Sequence, residues 1–194
     1  ANNYFAALED AADELRSAAK IVPVNDFGLT GDNTLANLAA YVTETLGLRV
    51  RIMPVKVMQN QLRRYDLHRR EILISEALLG SQRQFHLLIQ LALLSQQTAL
   101  DKICEDHAAL DLQTKSLLKI TLAGYFAGAV MMPYSVFLDS AKSLRYDLDL
   151  LGRRFGCSFE QVCHRLTTLN APNARGIPFF FIRVDDAGNI SKRL

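Results

Sequence analysis

The segment Phe85 to Leu94, FHLLIQLALL, constrains this chain more than any other. It has helical length and is apolar almost all round (Phe85, Leu87, Leu88, Ile89, Leu91, Ala92, Leu93, Leu94). A helix without a polar face has to lie inside, with other elements packed around it. A second stretch, Leu117 to Met132, is nearly as apolar but contains Lys119, and it is shorter than the roughly 20 residues a membrane span needs. It reads as a second buried helix. Gly124 and Gly128 in it, one turn apart, predict that a neighbouring backbone approaches closely there.

The remaining elements follow from periodicity and punctuation. Residues 2–20 read as a helix, with Leu8, Leu15 and Val22 at heptad spacing and Phe5, Ala12 and Ala19 between them. That narrow seam fits either docking on the helix's own domain or pairing with another protomer. Val22 to Gly31 is turn-rich and marks the best boundary, dividing residues 1–33 (helix and connector) from 34–194. A helix from Thr34 to Leu46 stops at Gly47. LRVRIM, residues 48–53, alternates as a half-exposed strand should. A short helix is expected over 55–62, and two short strands around a His-Arg-Arg turn over 63–75. Ser81-Gln82-Arg83-Gln84 has the pattern of a capping box opening the central helix, which runs to about Gln97. Helices follow at 116–131, from Pro133 to Leu144, at 146–155, and at 159–169 behind a Ser158 cap. A hairpin closes the chain, with Ile177 to Val184 and Asn189 to Lys192 separated by DDAG. The class is α+β, mostly helical, with a small sheet and a C-terminal β-hairpin. The length of 194 residues suits one large domain or one domain with a small appendage.

Three cysteines (Cys104, Cys157, Cys163) are too few, and odd in number, for a disulfide framework. Reduced thiols in the cytoplasm fit better. The acidic, alanine-rich N-terminus has no basic n-region, so no signal peptide is read, and no membrane partner is expected. A net charge of +2 does not by itself announce a nucleic-acid binder.

At RQFHLLIQLALL and AGYFAGAVMMP the sequence resembles the ImmA/IrrE zinc metallopeptidases, whose central helix carries a pattern of the form R-x-F-x-x-A-H-E-L-x-H. The run from Gly124 to Arg193, with YFAGAVMMPYSVFLDSA, LRYDLDLLGRRFGCSFEQVCHRLTTL and ARGIPFFFIRVDDAGNISKR, is similar to the short-chain fatty acyl transcriptional regulators. The resemblance covers residues 34–193. It implies a degenerate zincin-like core that binds a short-chain acyl-CoA such as propionyl-CoA as its effector. It also implies control of short-chain fatty-acid metabolism genes, through a helix-turn-helix that this sequence does not contain.

A zincin needs two imidazoles four apart on one helix face, with a carboxylate beside the first to activate the bound water. In the register set by Phe85 and Leu91, the ligand positions hold Ile89 and Leu93, and the carboxylate position holds Gln90. The acid expected a turn before Phe126 falls in ITLAG, which has none. His68 and His107 are isolated, and His164 adjoins Cys163 seven residues after Cys157. A metal there is a weaker reading than a buried Cys beside a solvent-facing His. No metal, permanently bound cofactor or catalytic group is therefore assigned.

Without zinc, such a scaffold retains a cleft lined by Ile89 and Leu93. An acyl chain suits that lining, each buried methylene contributing about 0.8 kcal/mol. The CoA phosphates need cations. Residues 49–70 offer Arg49, Arg51, Lys56, Arg63, Arg64, Arg69 and Arg70 against Asp66 alone. The same arginines could simply protect sheet edges or contact DNA. His86 is either a satisfied core or cleft histidine or a ligand contact. Tyr125 and Tyr134 are either core or pocket rim. The candidate ligand-binding set is Lys56, Arg63, Arg64, His86, Ile89, Tyr125, Tyr134 and Arg145. Short-chain acyl-CoA, DNA through the absent domain, and a second copy through residues 4–22 are the expected partners. The rival reading is a protein-interaction module using the same cleft.

Overall fold

The structure, a computed structural model, describes residues 3–21, 34–105, 111–188 and 190–193. The connector from Val22 to Gly31, together with His107, lies outside the described residues. Helix α1 (Ala6–Ala18) packs along α6 (Leu112–Met131) and buries Leu8, Ala12 and Leu15, with Ala19 just beyond. Arg16 Nη1 donates to the Ala129 carbonyl at 3.2 Å, tying the two helices together. The seam residues Leu8, Ala12, Leu15 and Ala19 are thus buried within the protomer, which is the docking reading of the seam; Val22 lies outside the described residues.

Helix α2 (Thr34–Leu46) ends at Gly47, whose φ of +63° is the left-handed conformation expected of a C′ glycine. A three-stranded mixed sheet follows, in the order β1-β3-β2. Strand β1 (Arg49–Met53) lies parallel to β3 (Glu71–Ser75), and β2 (Arg63–Asp66) pairs antiparallel with β3. The central strand EILIS is buried at every position, as its continuous apolar run requires. The β2–β3 hairpin turns at the expected His-Arg-Arg, where Asp66 Oδ1 accepts from the Arg69 N–H at 3.0 Å. Helix α3 spans only Val55–Met58, shorter than expected, because Gln59 and Asn60 both adopt positive φ and stop it.

Helix α4 (Gly80–Ser95) is the central helix, with Leu87, Leu88, Ile89, Leu91 and Ala92 buried. Its N-terminus differs in detail from the expected box. Leu79 is the N-cap residue, and Gln82 Oε1 accepts from the Leu79 N–H at 2.9 Å. Helix α5 (Gln97–Glu105) was not anticipated; its buried side is only Leu100 and Cys104. Helix α6 begins four residues before its expected start because Asp111 caps it, accepting from the Thr114 N–H at 2.7 Å.

Helices α7 (Tyr134–Ser143), α8 (Leu148–Phe155) and α9 (Phe159–Leu166) build a second core around Phe137, Leu151, Phe155 and Val162. Ser158 caps α9 in a full capping box with Gln161. The pair β4 (Asn170–Ala171) and β5 (Ala174–Arg175) was not foreseen. Strands β6 (Ile182–Val184) and β7 (Ile190–Arg193) form the expected hairpin, with a shorter first strand. Among the described residues no single helix is long and apolar enough to cross a membrane; α6 and α7 together reach the length but bend by 68°.

Candidate functional site

A cleft of about 740 Å³ opens between α4, α6 and α9, with Asn3 and Phe5 closing part of it from the N-terminal side. Its α4 wall is Gln82, Phe85, His86 and Ile89, and its α9 wall includes Gln161, His164 and Arg165. The α6 wall contains Thr121, Gly124, Tyr125 and Gly128. A Cβ added at Gly124 or Gly128 would meet no atom of a neighbouring element within 4 Å. The expectation of a close backbone approach is therefore corrected: the glycines leave open space, and the space is the cleft.

The position of the first zinc ligand holds Ile89, which is buried and lines the cleft. Leu93, the second, turns instead toward the cluster formed by Leu8, Leu100, Cys104 and Leu122. An isobutyl group, a sec-butyl group and the Gln90 amide do not form a zinc site. Among the described residues, no three His, Cys, Asp or Glu side chains converge in a way that could hold a metal. Burial also pushes the Cys157 thiol up to about 12 and raises the Cys104 and Cys163 thiols, so none of the three is poised as a thiolate.

Three of the sequence-selected residues line this cleft: His86, Ile89 and Tyr125. Arg63 adjoins it, with Nη1 lying 3.5 Å from His86 Nδ1. Tyr134 is elsewhere; its hydroxyl donates to the Ala174 carbonyl at 2.8 Å and accepts from the Ala171 N–H at 2.9 Å, stitching β4–β5 to α7. Lys56 is exposed on α3, Arg64 is half-buried on β2 opposite Leu73, and Arg145 is exposed at a positive-φ turn. The cationic cluster does not act as one patch. Arg49 and Arg51 both grip the buried Glu71, at 2.9 and 3.4 Å, and Arg70 donates to the Leu46 carbonyl at 2.9 Å.

The sequence reading passed over the most heavily bonded group in the cleft wall. Arg165, only 2% exposed, meets the buried Glu9 at two points, Nη1–Oε1 2.7 Å and Nη2–Oε2 2.9 Å. Its Nε donates to the Met132 carbonyl at 2.9 Å, and Nη1 also reaches Thr168 Oγ1 at 3.3 Å. The Tyr125 hydroxyl donates to Glu9 and accepts from the Phe5 N–H. Burial alone would depress the guanidinium, but its hydrogen bonds to Glu9 leave it raised. Burial, and then the Glu9 charge, raise the Tyr125 phenol. Sequence carries only a partial signal, an arginine between Val162 and Leu166 on a buried helix face and a glutamate beside the seam residue Leu8; nothing in it pairs the two.

Comparison with known proteins agrees with this architecture. Residues 43–167 match the family described as IrrE N-terminal-like domain, and residues 168–194 match that described as short-chain fatty acyl coenzyme A regulator, C-terminal. The HTH-type transcriptional regulator PrpR of Mycobacterium tuberculosis is 38% identical over 192 residues, which is 99% of this chain and 38% of that protein. The HTH-type transcriptional regulator RamB of the same organism is 34% identical over 98% of the chain and 38% of its own length. A propionyl-CoA carboxylase regulator of Cereibacter sphaeroides is 48% identical over 57% of the chain and 24% of its length. A solved Mycobacterium tuberculosis transcriptional regulator superposes with a TM-score of 0.88 at 38% identity, covering 99% of this chain and 56% of that one. The chain thus spans well under half the length of the curated relatives it matches. With the two family matches running end to end, residues 43–167 on the one and 168–194 on the other, this chain belongs to the short-chain fatty acyl-CoA regulators that carry an IrrE N-terminal-like domain.

Proposed function

We propose that this chain is the effector-binding domain of a bacterial transcription regulator, one that senses a short-chain acyl-CoA in the cleft between α4, α6 and α9. The observation that carries the reading is the cleft itself: buried Ile89 lines it from α4, and the opposing α6 wall is opened by Gly124 and Gly128. An apolar floor with room above it suits a short acyl chain and its pantetheine arm. The relatives named as regulators, and the match to the acyl coenzyme A regulator family, support the same conclusion. The domain acts without catalysis, in the cytoplasm. DNA is contacted by a helix-turn-helix outside this chain, and binding of the effector shifts the population between two arrangements of the regulator. A second copy would dock on a surface other than the α1 seam.

The test is a titration of the purified protein with CoA and with acetyl-, propionyl-, butyryl- and palmitoyl-CoA, read by calorimetry. Saturable binding that strengthens about fourfold with each methylene up to a short limit, then fails for palmitoyl-CoA, is expected. An absence of heat with every CoA species would overturn the reading and transfer the cleft to the interaction-module alternative.

A further inference from the structure

Arg63 is a half-buried cation beside the cleft. Arg49 and Arg51 share Glu71, Arg16 pairs with Asp13, Lys119 with Asp101, and Arg165 with Glu9. Among the described residues no carboxylate comes within ion-pair distance of Arg63, although the side chain is half-buried. Its side-chain neighbour is the His86 imidazole, at 3.5 Å. Burial lowers the Arg63 pKa with no acid acting against it, and burial together with the Arg63 charge lowers that of His86.

A guanidinium has only donors, so a bond between the two requires His86 Nδ1 to accept, as the tautomer protonated at Nε2 allows. The guanidinium and the imidazole thus present N–H groups with no carboxylate beside them, on the α4 side of a cleft that His86 lines. Such a pair is open to an anion entering from the cleft. A carboxylate would use it partly, whereas a phosphoryl group offers enough oxygens for both side chains and enough charge to draw a proton onto His86.

We propose that Arg63 and His86 form a phosphoryl-binding subsite at the margin of the cleft, which takes up a proton when it is filled. The groups facing His86 are Arg63 from β2, Tyr125 from α6, and Glu160, His164 and Arg165 across the cleft from α9; of these, Arg63 is the one whose charge acts on it. The inference rests on the effector reading only for the carrier of the phosphate, a coenzyme A diphosphate as against free pyrophosphate.

Its test follows the His86 ring protons by NMR pH titration, assigned with His86→Gln, in the wild type and in Arg63→Gln, each with no addition, with pyrophosphate and with propionyl-CoA. In the wild type, either phosphate source should raise the His86 pKa, and Arg63→Gln should abolish that response. Arg63→Gln should also weaken propionyl-CoA about tenfold or more while leaving propionyl-pantetheine, which has no phosphate, unaffected; Arg63→Lys should recover part of the loss. Circular dichroism of the variants confirms the fold. A His86 pKa indifferent to both phosphate sources, or equal losses for propionyl-CoA and propionyl-pantetheine, would overturn the subsite. A response to pyrophosphate with no binding of any acyl-CoA would keep the subsite and remove the effector reading.

Discussion

Glu9 on α1 and Arg165 on α9 are 156 residues apart in sequence and meet at two points inside the protein, at 2.7 and 2.9 Å. The pair joins the first helix to the second core beside the cleft wall. Removing one partner strands a buried charge, so Glu9→Ala and Arg165→Met should each cost about 3–5 kcal/mol of stability in urea unfolding. The double variant Glu9→Leu/Arg165→Met should lose less than either single one, because no charge is left stranded. Additive losses in the double variant would mean that the two side chains act independently.

Gly124 and Gly128 are helical positions facing open space. Alanine at either should stabilise the protein by about 0.5–1 kcal/mol, the ordinary gain over glycine within a helix. Gly124→Leu should push a side chain into the cleft and abolish effector binding while the melting temperature holds or rises. Calorimetric titration alongside thermal melts checks both. Retained affinity in Gly124→Leu would place the ligand elsewhere.

His86 supplies a pH signature. Burial, then the Arg63 charge, hold its imidazole below the ordinary value of 6.5 in the folded chain. As pH falls below that value the unfolded chain gains a proton that the folded chain does not yet hold. The stability present above it is therefore lost progressively until the folded pKa is passed. His86→Gln should flatten this part of the stability profile below the ordinary imidazole value of 6.5, and Arg63→Gln should shorten it. Chemical unfolding at a series of pH values reads the difference between variants; identical profiles would refute the assignment.

Among the described residues no three His, Cys, Asp or Glu side chains converge on a common point. Dialysis against a chelator should leave the melting temperature unchanged, and added zinc should not raise it. A saturable zinc-dependent increase would reveal ligands outside the cleft.

Sequence reading captured the parts of the fold governed by local rules. Gly47 announced the end of α2, Ser158 the start of α9, and the apolar run 85–94 the central helix. It failed where one or two residues decide. Gln59 and Asn60 cut α3 short by entering the left-handed region, which their composition allows but does not require. Helix α5 carries only two buried residues, too weak a stripe to separate from a polar loop. In the site, His86, Ile89 and Tyr125 lie in the cleft because they sit on the helices that the periodicity identified. Tyr134, one residue past Pro133, has its hydroxyl engaged with backbone 37 and 40 residues away, which no spacing rule foretells. The Glu9–Arg165 contact was out of reach for the same reason: pairing across the full chain leaves no local pattern.

That contact also has a consequence in time. A ribosome adds roughly 5–20 residues per second, so on the order of ten to thirty seconds pass between the synthesis of Glu9 and that of Arg165. Helix α1 has 13 residues, marginal for an isolated helix in water, and its principal neighbour α6 begins only at Leu112. Until α6 is made its apolar face has no partner helix, and until Arg165 is made its glutamate has no partner charge. Helix α1 is accordingly locked to α9 only once a residue 156 positions later has been made.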